Sequence, residues 1–152
     1  MNDFLARLQN GGLLFDGSMG ALIEARGVTT NCPALLNAEN PALIRAIHQD
    51  YRAAGADVSI ANTFGANPIK LRALGLENRL DELIEKGVAL AREAGNFALL
   101  DIGPTGQFLR PAGTIGLEEM IQVFRACAQA GARAGADGII IETMADAGEC
   151  RA

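Results

Sequence analysis

The chain has 152 residues, of which 49% are hydrophobic and 20% charged, and its formal net charge is −5 at pH 7. This length and composition are typical of one globular domain with a core large enough to need no disulfides. The sequence has no cluster of Lys and Arg, which argues against a nucleic-acid surface. It has no apolar run near the ~20 residues of a membrane span and no signal-peptide stretch at its start. We therefore expect a cytoplasmic protein without nucleic-acid or membrane partners.

The chain has three cysteines, Cys32, Cys127 and Cys150. Their odd number and wide spacing argue against a disulfide framework and are typical of a reducing compartment. None has a second thiol or a histidine at metal-ligand spacing, so no zinc site is expected from this chain alone. Cys127 falls on an apolar helical stripe and is predicted to lie in the core. The single histidine, His48, lies mid-helix and is interpreted as a packing or surface residue rather than a catalytic base.

Four short apolar runs, each followed by a polar or glycine-rich turn, predict β-strands at residues 13–15, 58–61, 97–100 and 139–141. The runs show little alternation, which is typical of parallel strands covered on both faces. Helical spacing predicts helices at about 19–26, 41–51, 77–94 and from 117 onwards. Asn40 and Pro41 form a helix-start signal. Gly55 and Gly135 follow helix ends, where a left-handed cap is usual.

The alternation of strands and helices predicts a parallel α/β fold in a single domain, residues 1–152. Four units of roughly 40 residues match the first four βα units of a (β/α)8 TIM barrel, which is half of the eight strands needed for closure. Residues 147–152 have the character of the first turn of a further helix, so we expect the chain to be part of a larger barrel. A doubly wound open sheet is the competing fold, but the first turn lacks the G-x-G-x-x-G phosphate fingerprint.

Polar side chains follow all four predicted strands, at Asp16, at Asn62 and Thr63, at Asp101 and at Glu142. In a barrel these strand ends converge on one mouth. Two carboxylates there, Asp16 and Glu142, can bind an ammonium group, act as general acid and base, or hold a hard cation.

Glycines next to Asp16, at Gly17 and Gly20, let the backbone approach a ligand, and the amides of the next helix would suit a carboxylate. An ammonium site and a carboxylate site together describe an amino-acid ligand. Structural roles remain open for several of the strand-end residues. Asp16 could cap the following helix, Asn62 and Thr63 could form a turn, and Asp101 could pair with a basic side chain.

Five motifs in order resemble those of the homocysteine S-methyltransferase family. They are Leu14-Phe15-Asp16-Gly17-Ser18-Met19-Gly20, Cys32-Pro33-Ala34-Leu35-Leu36-Asn37, the stretch 54–67, Ile102-Gly103-Pro104-Thr105-Gly106 and Gly138-Ile139-Ile140-Ile141-Glu142-Thr143. The fourth motif is most similar to the homocysteine module of cobalamin-dependent methionine synthases. One departure from the family's motifs is Ala61, where the family often has Thr.

The resemblance implies zinc-dependent transfer of a methyl group to the thiol of L-homocysteine, which gives methionine. It assigns Asp16 and Glu142 to the substrate ammonium group and the turn at Gly17 to its carboxylate. It places Asn62, Thr63 and Phe64 along the same mouth. The family's zinc thiolates come from later strands, and none of this chain's cysteines matches them. The implied donor is methylcobalamin on a corrinoid domain, with betaine or a sulfonium compound as alternatives.

Two other functions remain as competing hypotheses. The first is a non-catalytic half-barrel that assembles with a second copy or with a separate C-terminal half, because open outer strands favour association. The second is another amino-acid-binding barrel enzyme, such as an aldolase. A Schiff-base aldolase needs a lysine at a strand end, whereas Lys70 and Lys86 lie away from the predicted ends.

Overall fold

The computed structural model describes residues 3–95 and 97–152. These residues form a parallel sheet of β1 (Val58–Ile60), β2 (Phe97–Ile102) and β3 (Gly138–Ile141), in that order. Helices connect the strands, which confirms the predicted parallel α/β class. A doubly wound sheet reverses its strand order at a switch point, and the three strands show no such reversal.

The first predicted strand, residues 13–15, is wrong as a full strand and is reduced to one parallel bridge between Phe15 and Val58. The carbonyl of Leu14 accepts from the amides of both Asp57 and Val58, at 2.7 and 3.1 Å. The Leu14 amide donates instead to the Asp57 carboxylate at 3.0 Å. The Asp57 side chain therefore accepts a hydrogen bond that a backbone carbonyl would accept in a regular pair of strands. The segment still runs beside β1 and delivers Asp16 to the same edge of the sheet.

The helices are α1 (Asp3–Asn10), α2 (Met19–Ala25), α3 (Leu36–Glu39), α4 (Pro41–Ala53), α5 (Pro68–Ala73), α6 (Leu80–Glu93), α7 (Leu117–Arg133) and α8 (Ala147–Arg151), with 3-10 turns at Pro33–Leu35 and Glu77–Arg79. The predicted helices are confirmed, whereas α1, α3 and α5 had no counterpart in the prediction. The Asn40 side chain accepts from the Leu43 amide at 3.3 Å, as expected of an N-cap. Gly55 and Gly135 have φ of 105° and 78°, which confirms the left-handed caps. None of these helices is long and apolar enough to cross a membrane.

The main core lies between the sheet and helices α6 and α7. On β2, alternate residues Ala98, Leu100 and Ile102 face this core. Leu100 packs so closely on α7 that a Cβ at Gly131 would lie 2.6 Å from its Cδ2. Cys127 is buried in this core, as predicted.

The opposite face of the sheet carries a smaller apolar cluster. Phe4 of α1 packs there with Val58 and Leu99, and its ring meets that of Phe97 edge-on, with centroids 5.3 Å apart. Asp101 lies two residues beyond Leu99 and so points to this same face. The helix α1 thus covers the lower part of the face and leaves its carboxyl-terminal end open.

Candidate functional site

A cleft of about 510 Å³ lies at the carboxyl ends of the strands. It is lined by Asp16, Gly17, Ser18, Met19, Gly20, Pro33, Ile60, Ala61, Asn62, Phe64, Asp101, Glu142 and Thr143. Three of these residues are acidic and none is basic. The cleft therefore has the electrostatic character of a site for a cationic group.

Asp16 is held rigidly in this cleft. Both carboxylate oxygens accept from the amide of Ile60, at 3.1 and 3.0 Å, and the side chain is only 1% exposed. Asp16 does not cap α2, because Ser18 fills that role by accepting from the Ala21 amide at 3.2 Å. The carboxylate is consequently pre-oriented by the strand next to it.

His48 lies directly behind Asp16, with its Nδ1 atom 3.6 Å from the carboxylate Oδ2. The histidine is fully buried, and within the described part of the chain neither ring nitrogen has a hydrogen-bond partner. It does not line the cleft. The structure therefore supports the prediction of a packing residue, and it adds a contact with Asp16 that the sequence did not reveal.

The side chain of Asn62 forms part of a buried amide network. Its Nδ2 donates to the Pro33 carbonyl at 2.8 Å and to the Asn37 Oδ1 at 2.9 Å. The Nδ2 of Asn37 donates in return to the carbonyls of Asn62 and Leu83, at 2.8 and 3.0 Å. A Cβ at Gly87 would lie 2.6 Å from the Asn37 Nδ2, so only glycine lets α6 approach this closely. Asn37 was not among the predicted site residues, although its place in the second sequence motif was a signal.

Thr63 does not line the cleft. Its hydroxyl donates to the Asp101 carbonyl at 2.9 Å and accepts from the Asp101 amide at 3.0 Å. The hydroxyl thus joins the turn after β1 to β2 and fixes the backbone of Asp101. Phe64 does line the cleft, packed so closely on Gly103 that a Cβ there would lie 2.4 Å from its ring.

Asp101 is a buried acidic residue of the cleft wall. The residue is 7% exposed, and its Oδ1 is buried without a hydrogen-bond partner among the described residues. Burial, together with the charges of Glu142 and Asp16, raises the pKa of this carboxyl to about 7. Asp101 is therefore about half protonated at pH 7, and within residues 3–95 and 97–152 no salt bridge gives it the basic partner considered from the sequence.

Glu142 reaches the cleft from the loop after β3, where its amide donates to the Ile102 carbonyl at 3.2 Å. The next residue, Thr143, has φ of 60°, which is rare for a β-branched residue and costs conformational energy. Gly17 lines the cleft and packs against Tyr51. A Cβ there would lie 2.9 Å from the Tyr51 hydroxyl, which donates to the Ser18 carbonyl at 3.2 Å.

The described residues contain no group of three or more His, Cys, Asp or Glu arranged to hold a metal ion. Burial raises the pKa of the Cys127 thiol to about 12, and the carbonyls of Ala66 and Val123 lie 3.4 and 3.3 Å from its Sγ, where either can accept its single S–H. A protonated thiol in such surroundings is a poor zinc ligand. Cys150 is exposed, whereas Cys32 is buried. The donor set of the residues that the structure describes does not fit a zinc ion.

The fold and the cleft together define a parallel α/β protein with an acidic ligand site at its strand ends. The sequence profile described as homocysteine S-methyltransferase matches residues 13–152. The chain belongs to the homocysteine S-methyltransferase family.

Several relatives and solved structures support this assignment. The chain is 40% identical over 108 residues to the homocysteine S-methyltransferase of Escherichia coli (strain K12), covering 68% of this chain and 34% of that protein. It is 29% identical over 160 residues to the methionine synthase of Mycobacterium tuberculosis, covering 95% of this chain and 13% of that protein. The crystal structure of the E. coli homocysteine methyltransferase MmuM in its metallated form matches with a TM-score of 0.83 at 30% identity, over 97% of this chain and 59% of that one. The chain therefore spans about a third or less of these two relatives and 59% of the matched structure.

Proposed function

We propose that residues 1–152 form the amino-acid-binding half of a (β/α)8 barrel that transfers a methyl group to the thiol of L-homocysteine and so forms methionine. One observation carries the proposal: Asp16, a rigidly held and buried carboxylate, shares a cleft with Glu142 and Asp101, and none of the described residues that line that cleft is basic. Such a site favours a ligand with an ammonium group. The methyl transfer is inferred from membership in the family, and the consecutive strand order supports the barrel.

In this proposal the carboxylates of Asp16 and Glu142 accept hydrogen bonds from the substrate ammonium group. The backbone at Gly17 lies beside the substrate carboxylate. Asn62 and Phe64 form the wall, with Asn62 acting through its backbone because its side-chain amide is already bonded. Thr63 supports the site by fixing the Asp101 backbone. Binding at these points orients the substrate and leaves its thiol free to extend from the cleft.

The metal and the methyl donor fall outside what these residues can provide. Zinc, when bound in the intact domain, would favour the thiolate form of homocysteine, and its ligands would have to come from elsewhere than the cysteines described above. The proposed donor is methylcobalamin carried by a corrinoid domain, consistent with the similarity to a methionine synthase. A cytoplasmic location remains a prediction from the sequence.

An apolar groove on the outer side of β3 supports assembly with further βα units. Ile139 and Ile141 are 49% and 50% exposed there, next to Phe124 and Met144 in a groove of about 320 Å³. These two isoleucines lie on the face of β3 that corresponds to the helix-covered face of β2. Apolar side chains at this position are typical of a face that another helix covers, either from the same barrel or from a second copy.

The test is a titration of the chain with L-homocysteine under reducing conditions, followed by calorimetry and by NMR chemical shifts. We expect binding on the order of 1 mM, or about −4 kcal/mol, because only the amino-acid part is held. Added zinc should not tighten it. Asp16→Asn and Glu142→Gln should each weaken binding at least tenfold. Glu119→Gln, which removes an exposed carboxylate on α7, should leave it unchanged.

Two results would contradict the proposal. The first is no binding at several millimolar homocysteine by a folded chain, and the second is equal binding by the three variants. Tight binding that requires zinc would instead show a metal site that the described residues do not reveal, and would refute the assignment of zinc ligands to another part of the domain.

A further inference from the structure

Asp101 differs from the other cleft carboxylates in what its side chain contacts. Asp16 has the Ile60 amide as a donor to both oxygens. The Oδ1 of Asp101 is buried in the cleft wall with no hydrogen-bond partner in residues 3–95 and 97–152. A buried carboxyl oxygen without a donor is costly, and the backbone of Asp101 cannot move away, since the Thr63 hydroxyl holds both its amide and its carbonyl. The Oδ1 atom is thus fixed in a position where it could accept a hydrogen bond from a ligand.

The number of acceptors in the cleft indicates which donor fits. Asp16, Asp101 and Glu142 bring three carboxyl groups into one cleft. A primary ammonium group carries three N–H donors and no acceptor. A secondary ammonium offers two donors and a tertiary one offers a single donor, so each leaves at least one carboxyl without a hydrogen bond. The site therefore distinguishes amines by their degree of substitution.

Building on the proposed function, we propose that Asp101 is the third acceptor of a three-carboxyl cradle that selects unmethylated primary ammonium groups and releases one proton when it binds them. In the free cleft, burial and the charges of Glu142 and Asp16 favour the protonated form of Asp101. The arriving ammonium group supplies the opposite charge, Asp101 ionises, and its proton passes to the buffer. No bond to the ligand forms, and charge balances as one bound cation for one released proton.

The surrounding charges agree with this exchange. Burial, together with the charges of Glu142 and Asp16, raises the pKa of Asp101 to about 7. His48 does not line the cleft, and its Nδ1 lies 3.6 Å from the Asp16 carboxylate. Lys70 of α5 lies over the Phe64 ring, 5.1 Å from its centroid. A ligand ammonium group would therefore be the cation that enters the cleft itself.

The test is calorimetry of the whole chain at pH 6 and pH 8.5, each in two buffers of different ionisation enthalpy. The probes are L-homocysteine, its N,N-dimethyl derivative, methylammonium and Mg²⁺. We expect homocysteine to release close to one proton at pH 6 and close to none at pH 8.5. The dimethyl derivative should bind at least tenfold more weakly. Asp101→Asn should abolish proton release and reduce the preference for the primary amine, and Glu119→Gln should change neither.

A ¹³C NMR titration of the Asp101 carboxyl in the free chain gives a readout that does not depend on any ligand. We expect its midpoint near neutral pH and a lower midpoint with homocysteine present. Homocysteine binding without proton release, with Asp101→Asn equal to the parent chain, would overturn the cradle and leave the proposed function intact. Binding of methylammonium with proton release, but not of homocysteine, would support the cradle and refute the proposed function. Proton release by Mg²⁺ and by neither amine would refute both.

Discussion

Replacing Asn37 by alanine removes the centre of the amide network that holds the turn after β1. The Asn37 side chain is 1% exposed and makes three hydrogen bonds, two to the Asn62 carbonyl and amide and one to the Leu83 carbonyl. The Asn62 amide keeps its bond to Pro33. The substitution therefore leaves the Asn62 carbonyl and one Asn62 N–H without their partners in a buried site.

Each buried polar group that loses its partner costs about 1–3 kcal/mol. Two such groups give an expected loss of about 3 kcal/mol in the free energy of unfolding. For a chain of this size, that corresponds to a decrease in Tm of roughly 6–12 °C. Since Asn62 lines the cleft, homocysteine binding should weaken together with stability.

The assay is urea unfolding followed by circular dichroism, with Asn31→Ala as the matched control. Asn31 is exposed in the loop that precedes Cys32, so its replacement should change stability by less than about 0.5 kcal/mol. A loss below about 1 kcal/mol for Asn37→Ala, at an unchanged m-value, would show that the network does not stabilise the turn.

Three further predictions concern other parts of the structure. Gly103→Ala should cost about 1–3 kcal/mol by overpacking, measured as a lower Tm, because its Cβ would lie 2.4 Å from the Phe64 ring; an unchanged Tm would contradict this contact. Iodoacetamide at pH 8 should label Cys150, which is exposed, long before Cys127, whose pKa burial raises to about 12; mass spectrometry of the native chain gives the order, and labelling of Cys127 first would contradict the prediction. Asp101 ionises near pH 7 when folded, against an ordinary value of 3.8, so the unfolded chain loses this proton first and the folded state loses stability as pH rises from about 4 to 7. Asp101→Asn should not show this loss. The free energy of unfolding of the variant minus that of the parent chain should therefore increase as pH rises through this range, and a difference independent of pH would refute the raised pKa.

Much of the architecture follows from local sequence signals. The apolar runs at 58–61, 97–100 and 139–141 predicted strands because a strand buried on both faces needs no polar alternation. Helical periodicity predicted the long helices, since each must bury one apolar face. The left-handed caps at Gly55 and Gly135 follow from the absence of a Cβ in glycine. The sequence also indicated which polar residues follow strands, and thus that Asp16, Asn62 and Glu142 would share one edge.

Contacts between distant parts of the chain were decided only by the tertiary structure. The sequence could not show that Asn37 bonds to Leu83, 46 residues away, or that the side chain of Asp57 would shorten the first strand to a single bridge. It also could not show that His48 lies behind Asp16. Local propensity does not determine such pairings, because they depend on how separate βα units pack against one another.

The difference is clearest at Asp101. The sequence by itself determined that a carboxyl group would stand near the end of β2, since the apolar run breaks there. Only the fold brought Asp16 and Glu142 beside it and excluded water, and those two effects raise the pKa of its carboxyl to about 7. Residue type and position along a strand are local properties, whereas desolvation and the field of neighbouring charges arise only once the chain has folded.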